Sequence, residues 1–225
     1  MKWHDLLFMH WPVPKSELQQ LIPDNLELDL YDGQGWISVV PFHMSGVAPR
    51  WIPDLPWMSS FPELNVRTYV NFQGKPGVWF FSLDATNPIA VRVARRWFYL
   101  KYMDARIHVK RQDSWIHYRS RRTHTDEPAA QLSVDYRPIG DPVTTKVGTL
   151  EHWLTSRYCL YAASHDGKIF RGEIDHLPWS LRNAQALIHK NTMLNRYSID
   201  SEKQPALVHF AERTDVVAWS LDLVG

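Results

Sequence analysis

The sequence predicts one α+β domain over residues 1–225 that is mainly β: a bent antiparallel sheet or cone-like barrel around a cavity, with a few short helices. Three observations carry this. The 225 residues include 11 Trp, 9 Tyr and 9 Phe, ring side chains that favour pleated sheet and can line an apolar interior. Short apolar runs are punctuated by turn residues, and 15 prolines are spread along the chain as in a fold of many strands. Residues 63 to 72 alternate cleanly with period two. A sheet this long must curl or close to protect its edges.

Taken in order, Ser16 to Ile22 suits a short helix stopped by Pro23. Leu26 to Tyr31 and Trp36 to Phe42 flank Asp32-Gly33, a hairpin pattern. The stretch from Pro49 to Pro62 holds four prolines with Trp51, Trp57 and Phe61. A linker would be polar, so this is expected to be an ordered loop over an apolar surface or cavity mouth. Glu63 to Phe72 and Val78 to Leu83 are joined by Gly74-Lys75-Pro76-Gly77. Asn87 as N-cap and Pro88 as first helical residue open a helix to Phe98, with Ile89, Val93 and Trp97 as its apolar stripe. Strands follow at Ala105 to Lys110, Trp115 to Arg121 and Leu132 to Tyr136. Thr149 caps a third helix to about Arg157. Tyr158 to Ala163 and Ile169 to Ile174 pair across Asp166-Gly167. Ser180 to Arg196 suggests partial helix, and Ala206 to Phe210 and Val216 to Leu223 close the chain as strands.

Composition excludes several classes. Hydrophobic residues at 44% and charged residues at 22% are globular values, against disorder. A net charge of +1 argues against nucleic acid or anionic membrane as partner. No apolar stretch is long enough to span a bilayer, and the N-terminal run is too short for a signal peptide, so a cytoplasmic location is expected. The single cysteine, Cys159, allows no internal disulfide and suits a buried small side chain. The 11 histidines show no metal-ligand spacing, and no phosphate loop, nucleotide fingerprint or nucleophile elbow occurs. No metal and no cofactor are expected. A small-molecule ligand is, and a homo-oligomer is compatible with the composition.

The candidate site starts from residues 63 to 72. Glu63, Asn65, Arg67, Tyr69 and Asn71 share one strand face, and Leu64, Val66, Thr68, Val70 and Phe72 the other. A carboxylate, amide, guanidinium and phenol in a row suit the orientation of a small polar ligand. The alternative is a solvated face with an internal Glu63–Arg67 pair. Lys101 and Tyr102 form the second candidate. Apolar neighbours destabilise an ammonium, so Lys101 is a candidate nucleophile, or else its stem packs while the charge reaches water. His10 and His176, each beside a proline–tryptophan turn, are the histidines to follow, either in structural hydrogen bonds or at a ligand.

Several motifs together resemble the YqjF-like family of uncharacterised bacterial proteins. They are Phe8-Met9-His10-Trp11-Pro12-Val13, Tyr31-Asp32-Gly33 with Val40-Pro41-Phe42, Phe61-Pro62-Glu63-Leu64-Asn65-Val66-Arg67-Thr68-Tyr69-Val70 and Gly77-Val78-Trp79-Phe80-Phe81-Ser82-Leu83-Asp84-Ala85. His176-Leu177-Pro178-Trp179 and His209-Phe210 add to them. The resemblance implies a fold related to acetoacetate decarboxylase, which uses a lysine pair after Phe-Pro. The matching segment here resembles Leu100-Lys101-Tyr102. In one register Tyr102 takes the Schiff-base position, and in the next Lys101 does. The second lysine is missing in either register. Glu63 resembles the family's cavity glutamate.

Two functions follow as expectations. One is an enzyme acting on a small oxo- or carboxylic acid, with Lys101 as imine former or Tyr102 as acid or base, Glu63 handling protons and Arg67 holding a carboxylate. Schiff-base decarboxylation is doubtful in it, because nothing beside Lys101 lowers its pKa far enough. The other is a non-catalytic small-ligand binder. In both, Asn65, Tyr69, His10 and Trp57 contact the ligand.

Overall fold

In a computed structural model of the chain, residues 1–47, 60–200 and 203–225 are described, with the side chains of residues 90, 93, 94 and 97 left out. Trp51, Trp57 and most of the Pro49–Pro62 loop therefore lie outside the described residues, as do the side chains of Val93 and Trp97.

The strands are β1 (Lys2–Val13), β2 (Glu27–Leu28), β3 (Gly35–Ser45), β4 (Phe61–Phe72), β5 (Lys75–Ala85) and β6 (Tyr102–Gln112). β7 (Trp115–Arg122), β8 (Gln131–Thr144), β9 (Cys159–Ala163), β10 (Ile169–His176), β11 (Ser180–Asn191) and β12 (Leu207–Leu223) complete them. Helices α1 (Lys15–Gln19), α2 (Pro88–Phe98) and α3 (Leu150–Thr155) and a 3-10 turn at Asn195–Tyr197 are short. The mainly β class and the bent sheet agree with expectation.

The strands form one twelve-stranded sheet that closes on itself. Nine strands make one circuit, in the order β5, β6, β7, β8, β11, β12, β1, β3, β4 and back to β5. Strands β9 and β10 bridge β5 to β12, making a second circuit through β1, β3 and β4. Of the walls common to both circuits, β1, β3, β4 and β5 carry buried side chains on either face, whereas β12 is largely exposed beyond Val216. Strands β3 and β4 are buried along nearly their whole length on both faces. All pairings are antiparallel except β5 with β6 and β5 with β9. The parallel contact with β9 is close: a Cβ on Gly77 would stand 2.7 Å from Cys159 Sγ and 2.9 Å from the Cys159 carbonyl, so the position excludes a side chain.

The nine-strand circuit is filled by the main apolar core, including Leu7, Met9, Val39, Leu64, Val66, Val70, Phe81, Val134 and Phe210. The second compartment holds two smaller apolar clusters. Phe8, Val40, Phe42 and Trp179 belong to one, and Trp36, Tyr69, Val78 and Leu154 to the other.

Several expectations are corrected. The expected turn at Asp32-Gly33 is present, closed by mutual backbone bonds of Tyr31 and Gln34, but residues 26–31 and 36–42 do not pair beyond it: β2 pairs with β4, and β3 lies between β1 and β4. β1 looked like a short apolar run because six consecutive residues, Leu6 to Trp11, are buried and no alternation shows. Residues 180–191 are a strand, although Ala, Gln, Leu and Lys favour helix. Ten pairs with β8 and three with β12 override that propensity. The last two expected strands are one, β12. On α2, Ile89 is exposed, and Val91 is buried. The expected caps are present: Thr149 Oγ1 accepts from His152 N, and Asn87 Oδ1 accepts from Ile89 N.

Among the described residues no helix is long and apolar enough to cross a membrane. Nor does any group of three or more His, Cys, Asp or Glu stand ready to hold a metal ion.

Candidate functional site

The period-two split of β4 persists in the structure. Leu64, Val66 and Val70 enter the main core, while Glu63, Asn65, Arg67 and Tyr69 enter the second compartment, all four buried. The face is not solvated, and Glu63 and Arg67 do not pair within salt-bridge distance. Strand register supplies the neighbours. Ser38, Val40 and Phe42 of β3 stand opposite Arg67, Asn65 and Glu63. His10 of β1 stands opposite Ser38, and Phe8 opposite His209 of β12.

Glu63 is held from both sides of its strand. The Tyr102 hydroxyl donates to Glu63 Oε2 at 2.8 Å, and the Tyr118 hydroxyl, from the main core, donates to the Glu63 carbonyl at 2.8 Å. Burial pushes the Glu63 carboxyl up to about 8; the Tyr102 hydrogen bond opposes the shift, and the charge of Asp84 adds to it. Glu63 is therefore mostly a neutral acid at pH 7. Burial, and then Glu63 itself, hold the Tyr102 phenol well above its ordinary value.

A second group lies along the strands. His10 Nδ1 and Ser38 Oγ are 2.6 Å apart, Ser38 Oγ and the Tyr69 hydroxyl 2.7 Å, and the Tyr69 hydroxyl is 3.5 Å from His10 Nδ1. Burial, with Arg67 and His209 adding to it, keeps His10 well below the usual histidine value, so it is neutral. Arg67 donates one long bond, 3.4 Å, to the Leu154 carbonyl of α3. Its guanidinium lies 5.6 Å from the Phe8 ring centroid and 5.9 Å from that of Tyr69. Among the described residues, no carboxylate pairs with it. Among the described residues, the buried polar atoms of this compartment without a partner include His10 Nε2, Asn65 Oδ1, Arg67 Nε and His209 Nδ1, together with the indole Nε1 of Trp36.

The expected site residues divide accordingly. Glu63, Asn65, Arg67, Tyr69, His10 and Tyr102 share the second compartment. Lys101 does not join them: its side chain is exposed and its ammonium sits 5.1 Å over the ring of Trp79, a main-core residue. Partial desolvation against Trp79, and then Arg196, lower its pKa although the residue is exposed overall, and no group of the polar compartment is its neighbour. Adjacent residues on an extended chain serve opposite faces, and of the two registers considered the structure has Tyr102 toward Glu63. Trp57 lies outside the described residues. The His176 ring lies tilted 4.7 Å from that of Trp179, which in turn meets Phe8 edge-on at 5.3 Å.

Ser38, His209 and the Leu154 carbonyl were not among the expected site residues. Ser38 is one hydroxyl in an apolar run, and only its register opposite Arg67 and His10 gives it meaning. His209 falls in a segment noted for its motif, which was the available signal.

The closed sheet has counterparts among solved structures of acetoacetate decarboxylase and acetoacetate-decarboxylase-like enzymes. The chain belongs to the DUF2071 family, described as an uncharacterized conserved protein, whose match covers residues 1–215. It is 43% identical over 219 residues to the uncharacterized protein YqjF of Bacillus subtilis (strain 168), covering 97% of this chain and 89% of that one. Acetoacetate decarboxylase from Legionella pneumophila superposes with a TM-score of 0.66 at 10% identity, covering 100% of this chain and 88% of the other. The enduracididine biosynthesis enzyme MppR complexed with pyruvate superposes at 0.65 and 10% identity, over 100% and 91%. At such identities these two likenesses concern the fold.

Proposed function

We propose that the protein binds a small carboxylic or oxo-acid in the polar compartment, and that any reaction there proceeds by proton transfer and not through an imine. One observation carries this: Arg67 is a buried guanidinium without a carboxylate partner, beside a neutral His10 and a Glu63 that is mostly protonated. A buried charge left alone is costly, and removing one partner of such a pair typically costs about 3–5 kcal/mol. A ligand carboxylate would offset that cost and use the open Nε of Arg67.

The remaining groups then have consistent tasks. Asn65 and His10 offer a carbonyl oxygen and a ring nitrogen to the rest of the molecule. Glu63, with a pKa of about 8, is suited to give or take a proton near neutral pH, and Tyr102 orients it. That the structural neighbour MppR has been captured with pyruvate supports the same ligand class. The absence of an amine beside Glu63 among the described residues favours a binder or proton-transfer site over a Schiff-base decarboxylase.

The test is a melting-temperature screen of two- to six-carbon acids and 2-oxo-acids against their neutral methyl esters. Stabilisation by acids alone, lost in Arg67→Met, supports the proposal. Stabilisation by the esters alone, or by no compound, would refute it. Borohydride trapping with the acids should leave the intact mass unchanged.

A further inference from the structure

The residue that turned away from the polar compartment opens onto another space. Lys101 lines a cleft of about 620 Å³ at the end of the main core, with Trp79, Phe81 and Tyr197 among its walls. The Phe81 and Tyr197 rings are 4.7 Å apart, so the cleft has an aromatic floor. Trp79 is nearly fully buried, and its indole Nε1 has no partner among the described residues. A buried donor left open is costly unless something accepts from it.

The rim is cationic. Lys101 and Arg95 both line the cleft, and among the described residues neither has a carboxylate within 4.0 Å. Arg95 donates only to the Tyr102 carbonyl and weakly to Met103 sulfur. Glu127 is the one lining carboxylate, and it is paired with Arg196. Arg95, Tyr99 and His165 also line an adjoining depression of about 610 Å³ that includes Arg92 and Arg96. Tyr99, at the junction, holds a left-handed backbone with φ 49° and stacks on Phe170 at 4.8 Å.

We propose that this cleft is a second ligand site, separate from the polar compartment, for an anion with a flat aromatic body and a phosphate-type head. The body would lie against Phe81 and Tyr197 at the edge of Trp79. The head would lie between Lys101 and Arg95, with Arg96 and His165 behind them. Several cations around one anionic position favour a doubly charged head over a single carboxylate. Lys101 thus acts by charge here, and adjacent residues 101 and 102 serve two different ligands.

Calorimetric titration of the full chain with 1-naphthyl phosphate and with adenosine monophosphate tests this, against inorganic phosphate and 1-naphthol alone. Binding of either aromatic phosphate at least tenfold tighter than of both controls is the expected result, and the preferred one identifies a simple aryl phosphate or a nucleotide as the source. Lys101→Glu with Arg95→Glu should abolish it, and the milder Lys101→Gln should weaken it severalfold, guarding against misfolding of the double variant. Arg67→Met should leave it unchanged. Four results would overturn the proposal: no binding, inorganic phosphate binding equally well, indifference to the rim substitutions, or loss in Arg67→Met. The last would place the ligand in the polar compartment instead.

Discussion

Among the described residues two arginines on the strands are buried, and their surroundings differ. Arg122 faces the main core and is fully answered. Its Nε and Nη2 meet the two oxygens of Asp84 at 3.0 and 2.7 Å, and Nη2 also reaches Ser82 at 2.9 Å. Arg67, on the other face of neighbouring strand β4, has a single long bond to a carbonyl and two aromatic rings. Folding explains the first arrangement, a closed ion pair that holds β5 to β7. It does not explain the second, and an unanswered charge is what a binding site for an anion requires.

The largest expected effect comes from breaking the closed pair. Asp84→Ala should lower stability by about 3–5 kcal/mol in urea unfolding, because it strands the buried guanidinium. Arg67→Met should change stability by no more than about 1 kcal/mol, in either direction, because it strands no charge and gives up only the long bond to the Leu154 carbonyl. Equal losses at the two sites would erase the contrast.

The next effect is a pH dependence. The folded state holds the Glu63 proton more tightly than the unfolded chain does, with a pKa of about 8 against 4.5. The stability contributed is therefore fully present below about pH 4.5 and is lost as pH rises toward 8. Between pH 5 and 8 the loss is about 3–4 kcal/mol. Glu63→Gln, which keeps the shape and the acceptor for Tyr102, should flatten this slope in unfolding measured across that range. A slope unchanged by the substitution would assign it elsewhere.

A smaller effect is expected at Tyr102. Its hydroxyl opposes the rise in the Glu63 pKa, so Tyr102→Phe should move the inflection of the stability–pH curve upward and cost about 1 kcal/mol. The smallest belongs to Lys101. Lys101→Ala should alter stability by less than about 0.5 kcal/mol, as for an exposed position. It should also leave small-acid binding unchanged. Carbon dioxide release from acetoacetate should be absent or very weak in both wild type and variant; robust release that vanishes in the variant would restore the imine chemistry.

Much of this contrast was legible before any coordinates. The alternation at 63–72 placed Glu63, Asn65, Arg67 and Tyr69 on one face, since period two is a local property of a strand. What burial does to that face was not legible, because both faces of β4 are covered by elements far away in sequence. The choice between Lys101 and Tyr102 hung on one residue of register, set by Leu83 bonding to the Lys101 carbonyl and by the β5–β6 pairing. Ser38 and His10 meet only because β1 and β3 pair. β11 was misjudged because its composition favours helix and its partners are remote.

The most direct test of the account is calorimetric titration of 2-oxo-acids, pyruvate first, into wild type and Arg67→Met at neutral pH. The account predicts measurable binding to the wild type, weakened at least tenfold in Arg67→Met, with both proteins melting at nearly the same temperature. Binding of equal strength to both proteins, or to neither across the series, would contradict it.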